Sequence, residues 1–129
     1  MRVYRIEVRD TGTGPFHQIG MGCVEKHTKD GLGYTRSDLC PYSGPSVRED
    51  CPGFEVDQDV CGCESVRDLQ TFWFKSPTIR RAMAARGCRL AIYEVPDNHV
   101  IVGSQQVAFN PRIAKRIALK PMPVKEIAA

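Results

Sequence analysis

Long apolar runs are absent from this sequence. No stretch approaches the ~20 apolar residues that a membrane-spanning helix needs, so no membrane association is expected. Met1-Arg2-Val3-Tyr4-Arg5 has no apolar run behind its positive charge, which argues against a signal peptide and sets the expected location as cytoplasmic. The compact catalytic signatures are missing too. There is no nucleophile elbow, no Gly-x-x-x-x-Gly-Lys phosphate loop and no His-Glu-x-x-His helix. Gly20-Met21-Gly22 and Gly31-Leu32-Gly33 are too short to act as nucleotide fingerprints. Histidine is scarce: His17, His27 and His99 lie apart, with no partner at a recognisable spacing. No catalytic residue can be named from these signals.

Acid is scarce in one half only. Residues 65–129 hold 4 acids against 11 bases, whereas residues 1–64 hold 11 acids and 7 bases, balances of +7 and −4. The acids gather at Glu49, Asp50, Glu55, Asp57 and Asp59, and the bases at Arg80, Arg81, Arg86, Arg89, Arg112, Lys115, Arg116 and Lys120. Such asymmetry leaves room for an anionic partner, nucleic acid included, on the basic C-terminal half. It equally fits two halves that face each other or are simply solvated.

What is plentiful is cysteine, six in 129 residues. The intervals between successive cysteines are 16, 10, 9, 1 and 24 residues, which do not make a pair of Cys-x-x-Cys knuckles. Reduced thiols packed as small hydrophobes are the expectation, with no metal site. The competing reading is a zinc-stabilised binding module built on Cys40, Cys51 and Cys61 or Cys63, with His27.

The length and the 42% hydrophobic content fit one globular domain. Val3 to Val8 alternates and reads as the first strand, closed by the turn Thr11-Gly12-Thr13-Gly14-Pro15. Residues 16–59 are rich in glycine and proline and break every period, with room for a short helix near 20–28. We expect them to be irregular and to carry recognition. Val60 to Cys63 reads as a short strand. Ser65 then caps a helix over 66–74, with Val66, Leu69, Phe72 and Trp73 on one face. Ser76-Pro77 starts a second helix that stops at Gly87. Cys88 to Val95, His99 to Val102 and Gln106 to Phe109 read as strands, and Arg112 to Leu119 as a basic helix. The expected fold is α+β: a mixed, mostly antiparallel sheet of about five strands with two or three short helices. One domain spans residues 1–120, and residues 121–129 form a loosely attached tail.

Two residues stand where a phosphate could be held. Arg5 in the first strand could bind one bidentately, and Ser65 sits at a helix N-terminus after a strand. Each has a plainer explanation, an exposed strand arginine and a cap.

The order of pieces resembles the ADP-ribosyltransferase-like fold: Tyr4-Arg5 in a first strand, a glycine-containing turn, a long irregular segment, a strand leading to Ser65, and later strands around Gly103-Ser104-Gln105-Gln106. In that family the first motif is an Arg or His on the first strand and the second a Ser or Thr after the next core strand. The third is a Glu, or Gln-x-Glu, near a later strand. The resemblance implies that Arg5 and Ser65 hold NAD or a related nucleotide, and that Gln106 occupies the place of the third motif. This chain has glutamines there and no glutamate; Glu94 lies on the preceding strand. The acid that would stabilise charge on the ribose is therefore missing, and catalysis is left open. The pattern is also similar to small bacteriophage and prophage proteins. The leading expectation is a phage-type protein with a nucleotide-binding core. The alternative is a non-enzymatic interaction module that inhibits a host defence or nucleic-acid-processing complex, using the acidic 49–59 segment or the basic half.

Overall fold

A computed structural model describes residues 1–8, 47–55, 57–85 and 87–125. The architecture is α+β: among the described residues there are six strands in two three-stranded sheets, with every pairing antiparallel. In chain order the elements are β1 (Arg2–Val8), α1 (Val47–Asp50), β2 (Val60–Gly62), α2 (Val66–Asp68), α3 (Pro77–Ala85), β3 (Cys88–Glu94), β4 (Val100–Val102), β5 (Val107–Phe109) and β6 (Lys115–Pro121). A single π-type turn, Leu69–Trp73, extends α2, and a 3₁₀ turn, Asp97–His99, precedes β4. No described helix is long and apolar enough to cross a membrane.

β3 is central in the larger sheet, ordered β1-β3-β6. Successive side chains of a strand point to opposite faces, and β3 is apolar on both. Leu90 and Ile92 enter a core with Ile6, Leu69, Phe74, Ile79, Met83 and Met122. Ala91 and Tyr93 enter a second with Val3, Val95, Val107 and Phe109. Both faces of β3 are thus buried. The smaller sheet, ordered β2-β5-β4, closes the second core through Val107 and Phe109.

The sheets meet where Tyr4 N–H donates to Cys63 O and Cys63 N–H to Tyr4 O, both at 2.8 Å. The approach is tight. A Cβ on Gly62 would lie 2.7 Å from Tyr4 O and from Val3 Cγ1, so the crossing requires glycine.

Ser65 caps α2 by accepting from the Asp68 N–H at 3.0 Å, as its spacing predicts. The regular helix expected to residue 74 does not form. Phe74 N–H bonds Leu69 O, five residues back, so the turn holds an extra residue and Phe74, not Phe72, reaches the core. The basic helix expected over 112–119 is also replaced. Asn110 holds a turn, accepting from Ile113 N–H on its carbonyl and from Arg112 N–H on Oδ1. The chain then runs on as β6 along β3, with a register shift opposite Ile92 and Tyr93. Pairing to a central strand outweighs helical spacing.

The segment beyond Pro121, expected to hang loosely, is anchored through residue 125. Met122 is buried, Arg80 Nε donates to Val124 O at 2.8 Å, and Gln70 Nε2 donates to Lys125 O at 2.8 Å. Residues 126–129 lie outside the described part. So does most of the 16–59 segment, including the expected helix near 20–28; within it, α1 is regular.

Candidate functional site

Arg5 lies on the β1 face that carries Val3 and Glu7, and it is buried. Its Nε donates to Glu7 Oε2 at 2.9 Å and its Nη1 to Cys61 O at 2.9 Å. The same Glu7 oxygen accepts from the Tyr93 hydroxyl at 2.6 Å, and Arg116 Nη1 stands 3.7 Å from Oε1. Glu7 is itself buried and has three donors around it. Burial, then the bond and charge of Glu7, push the Tyr93 phenol up to about 12. This cluster ties β1 to β3, β6 and β2.

Ser65 spends its hydroxyl on the cap. Gln106 is buried just before β5. Backbone pairing brings the three expected nucleotide contacts near one another. Tyr4 pairs with Cys63 and Gly62 with Val107, so Arg5, Ser65 and Gln106 each follow or precede that crossing by one or two residues. Their side chains part there. Arg5 turns to the face of the second core, while α2, which Ser65 caps, packs Val66 on the first.

A second polar cluster joins α1 to the β4–β5 turn. Asp50 accepts from Ser104 N–H at 2.6 Å, Ser104 Oγ at 2.8 Å and Gln105 N–H at 3.0 Å. Burial pulls its carboxyl up, but these bonds and one from Gln106 outweigh it, and the group titrates below its ordinary value. A Cβ on Gly103 would sit on this carboxylate.

Among the described residues the cysteines are unbridged. Cys51 Sγ lies 3.6 Å from Ile101 O, and Cys63 Sγ lies 3.7 Å from Gln105 O. Burial, first, pushes their thiols up to about 11 and about 12. Neither is a thiolate near neutral pH. Cys40 and His27, the other members of the expected zinc set, lie outside the described residues.

The third feature is β6. Among the described residues it forms one edge of its sheet. Ile117 is 43% exposed and Leu119 49%, and Ile113 just before the strand is 45% exposed. Arg112, Lys115, Arg116 and Lys120 are exposed beside them. Residues 110–125 contain no acid. The lysines, Pro121 and register shift of β6 are the kind of device that blunts a sheet edge, and Ile117 and Leu119 stand exposed among them.

The family model described as Bacteriophage T4 Y00F protein matches residues 1–123. The chain belongs to that family. No curated protein and no solved structure matches it. Membership gives a small phage protein and carries no statement of nucleotide binding or transferase activity; the resemblance to ADP-ribosyltransferases gains no support from it.

In this phage-family chain, sequence reasoning singled out Arg5 and missed its partners. Glu7 two residues on shares its strand face, which is the legible signal. Tyr93 and Arg116 come from other strands and leave none. Asp50 was read only as one of five acids. The edge role of β6 was hidden by its helical spacing.

Proposed function

We propose that this protein is a non-enzymatic interaction module of a phage, which engages a host macromolecular complex through its basic C-terminal half. The observation that supports this most is β6, an edge strand with exposed Ile117 and Leu119 beside Lys115, Arg116 and Lys120. A host defence or nucleic-acid-processing complex is the class of target that such a surface suits. The acidic segment is a poorer contact, because Asp50 and Asp59 already accept bonds from Ser104 and from Glu55 N–H.

The test is copurification of the tagged protein with host complexes, compared with Arg112→Glu, Lys115→Glu and Lys120→Glu combined. Loss of the complex with an unchanged melting temperature is the expected result. Retention of the same complex at the same yield would sink the reading.

A second proposal is nucleotide binding, NAD or a relative, at Arg5, Ser65 and Gln106. Its support is the backbone pairing that sets these residues beside one crossing; against it, Arg5 is bound to Glu7 and Cys61 O and the Ser65 hydroxyl to Asp68 N–H. Calorimetric titration with NAD tests it: saturable binding that Gln106→Ala abolishes would support it, and no heat would end it. Metal analysis of the purified protein tests the zinc alternative in the same way.

A further inference from the structure

We infer that β6 is a docking edge for an extended acidic segment of a partner protein, which adds to the sheet alongside it. The inference rests on the interaction-module reading and gives the partner its chemistry.

An edge strand presents backbone N–H and C=O groups on its outer side, a template for one more strand. β6 is seven residues long and pairs with β3 on its inner side. Both of its faces are basic. Arg116 pairs with Tyr93, and Lys115 and Lys120 pair with Glu94 and Leu90, which point the other way. Ile117, at the register shift, and Leu119, which shares the Arg116 face opposite Ala91, are exposed along the strand. An incoming strand would therefore meet cations above and below the sheet and an aliphatic surface in the middle. Opposite charges across a strand pair attract, and like charges repel.

Charge complementarity selects the occupant. A second copy of β6, antiparallel and centred on Ala118, would set Arg116 against Lys120, and no register supplies an acid. Nucleic acid would satisfy the cations but leaves Ile117 and Leu119 without apolar contact, and the strand carries no aromatic ring on which a base could stack. An acidic strand with alternating apolar residues satisfies cations, aliphatics and backbone together. The register shift near Ile117 bends the edge locally whatever strand arrives, and the edge lysines reject neutral and basic strands. They do not reject an acidic one.

The experiment is an NMR titration of the isotope-labelled protein with a short peptide alternating glutamate and valine. The expected result is shifts and slowed exchange confined to amides of β6. Two controls give the mechanism. The same peptide N-methylated at alternate residues keeps its charge and loses its ladder, and should bind about tenfold more weakly, in line with lost cross-strand pairing. Lys115→Glu combined with Lys120→Glu should likewise weaken binding about tenfold while the melting temperature holds. Equal binding of the N-methylated peptide would mean charge attraction without strand addition, and would overturn the inference. So would tighter binding of a single-stranded oligonucleotide, or self-association through β6 in sedimentation. If the peptide fails while the charge-reversed protein still loses its host complex, strand addition is wrong and the interaction-module reading survives. If the complex is retained as well, both fall.

Discussion

Glu7 is the residue on which the polar interior turns. It is buried, and Arg5, Tyr93 and Arg116 all point to its carboxylate. Removing one member of a buried ion pair leaves the other charged and unpaired. Glu7→Gln should therefore cost about 3–5 kcal/mol in urea denaturation. Arg116→Ala, at the half-exposed end, should cost less than about 1 kcal/mol. Equal effects would show that the pair with Arg5 is not the dominant contact. Asp50 behaves differently because it titrates. Its carboxyl is lowered from 3.8 in the folded state. The ionised form is thus the one that folding favours. The stability it contributes is complete above the unfolded value and is lost as pH falls through the lower, folded one. Relative to Asp50→Asn, the native protein should be more stable at neutral pH, and the gap should shrink below about pH 4, by denaturation at stepped pH. A gap independent of pH would mean that the clamp on Ser104 and Gln105 does not depend on charge.

Elements were legible where local chemistry was decisive. Ser65 and Ser76 start helices, and Gly87, at φ 93°, follows the end of α3. β1 and β3 show their alternation and their apolar content directly. Elements defined by a distant partner were not legible. Ile113, Ala114, Ile117 and Ala118 stand at helical spacing, yet β3 recruits Lys115–Pro121 as a strand. The extra residue in the turn after α2 is equally silent in the sequence, because either Phe72 or Phe74 suits an apolar face. Gly62 is a case where the element depends on a missing side chain. Gly62→Ala should force Tyr4 and Cys63 apart and cost about 1–3 kcal/mol, the usual range for overpacking. Urea midpoints of the variant and the native protein check this, and an unchanged midpoint would show that the crossing can relax.

At the scale of the molecule, the C-terminal part is a wall of the core. Met122 is buried with Ile79, Met83 and Leu90, and Arg80 and Gln70 grip the carbonyls that follow. Met122→Ala should cost about 2–5 kcal/mol, the range for a buried methionine. A loosely held tail would give no change in melting temperature. Pro121 and Pro123 flank this anchor. In the candidate site, Arg5, Ser65 and Gln106 were findable as residue types, but their roles depend on Glu7, Asp68 and the packing at β5, which only the assembled molecule supplies.

The joint between the sheets has a consequence for motion. Among the described residues, the ladder from one sheet to the other consists of the two bonds between Tyr4 and Cys63. The smaller sheet is made of three-residue strands, the larger mostly of seven-residue ones. Parts of a protein open separately when few bonds join them. A swing of the small leaf away from β1 would also break the bond from Arg5 to Cys61 O and expose Val107 and Phe109 of the second core, while β1 and β3 stay paired. In deuterated water, the Tyr4 and Cys63 amides would exchange together, at the rate of that swing, and well before the interior of β3.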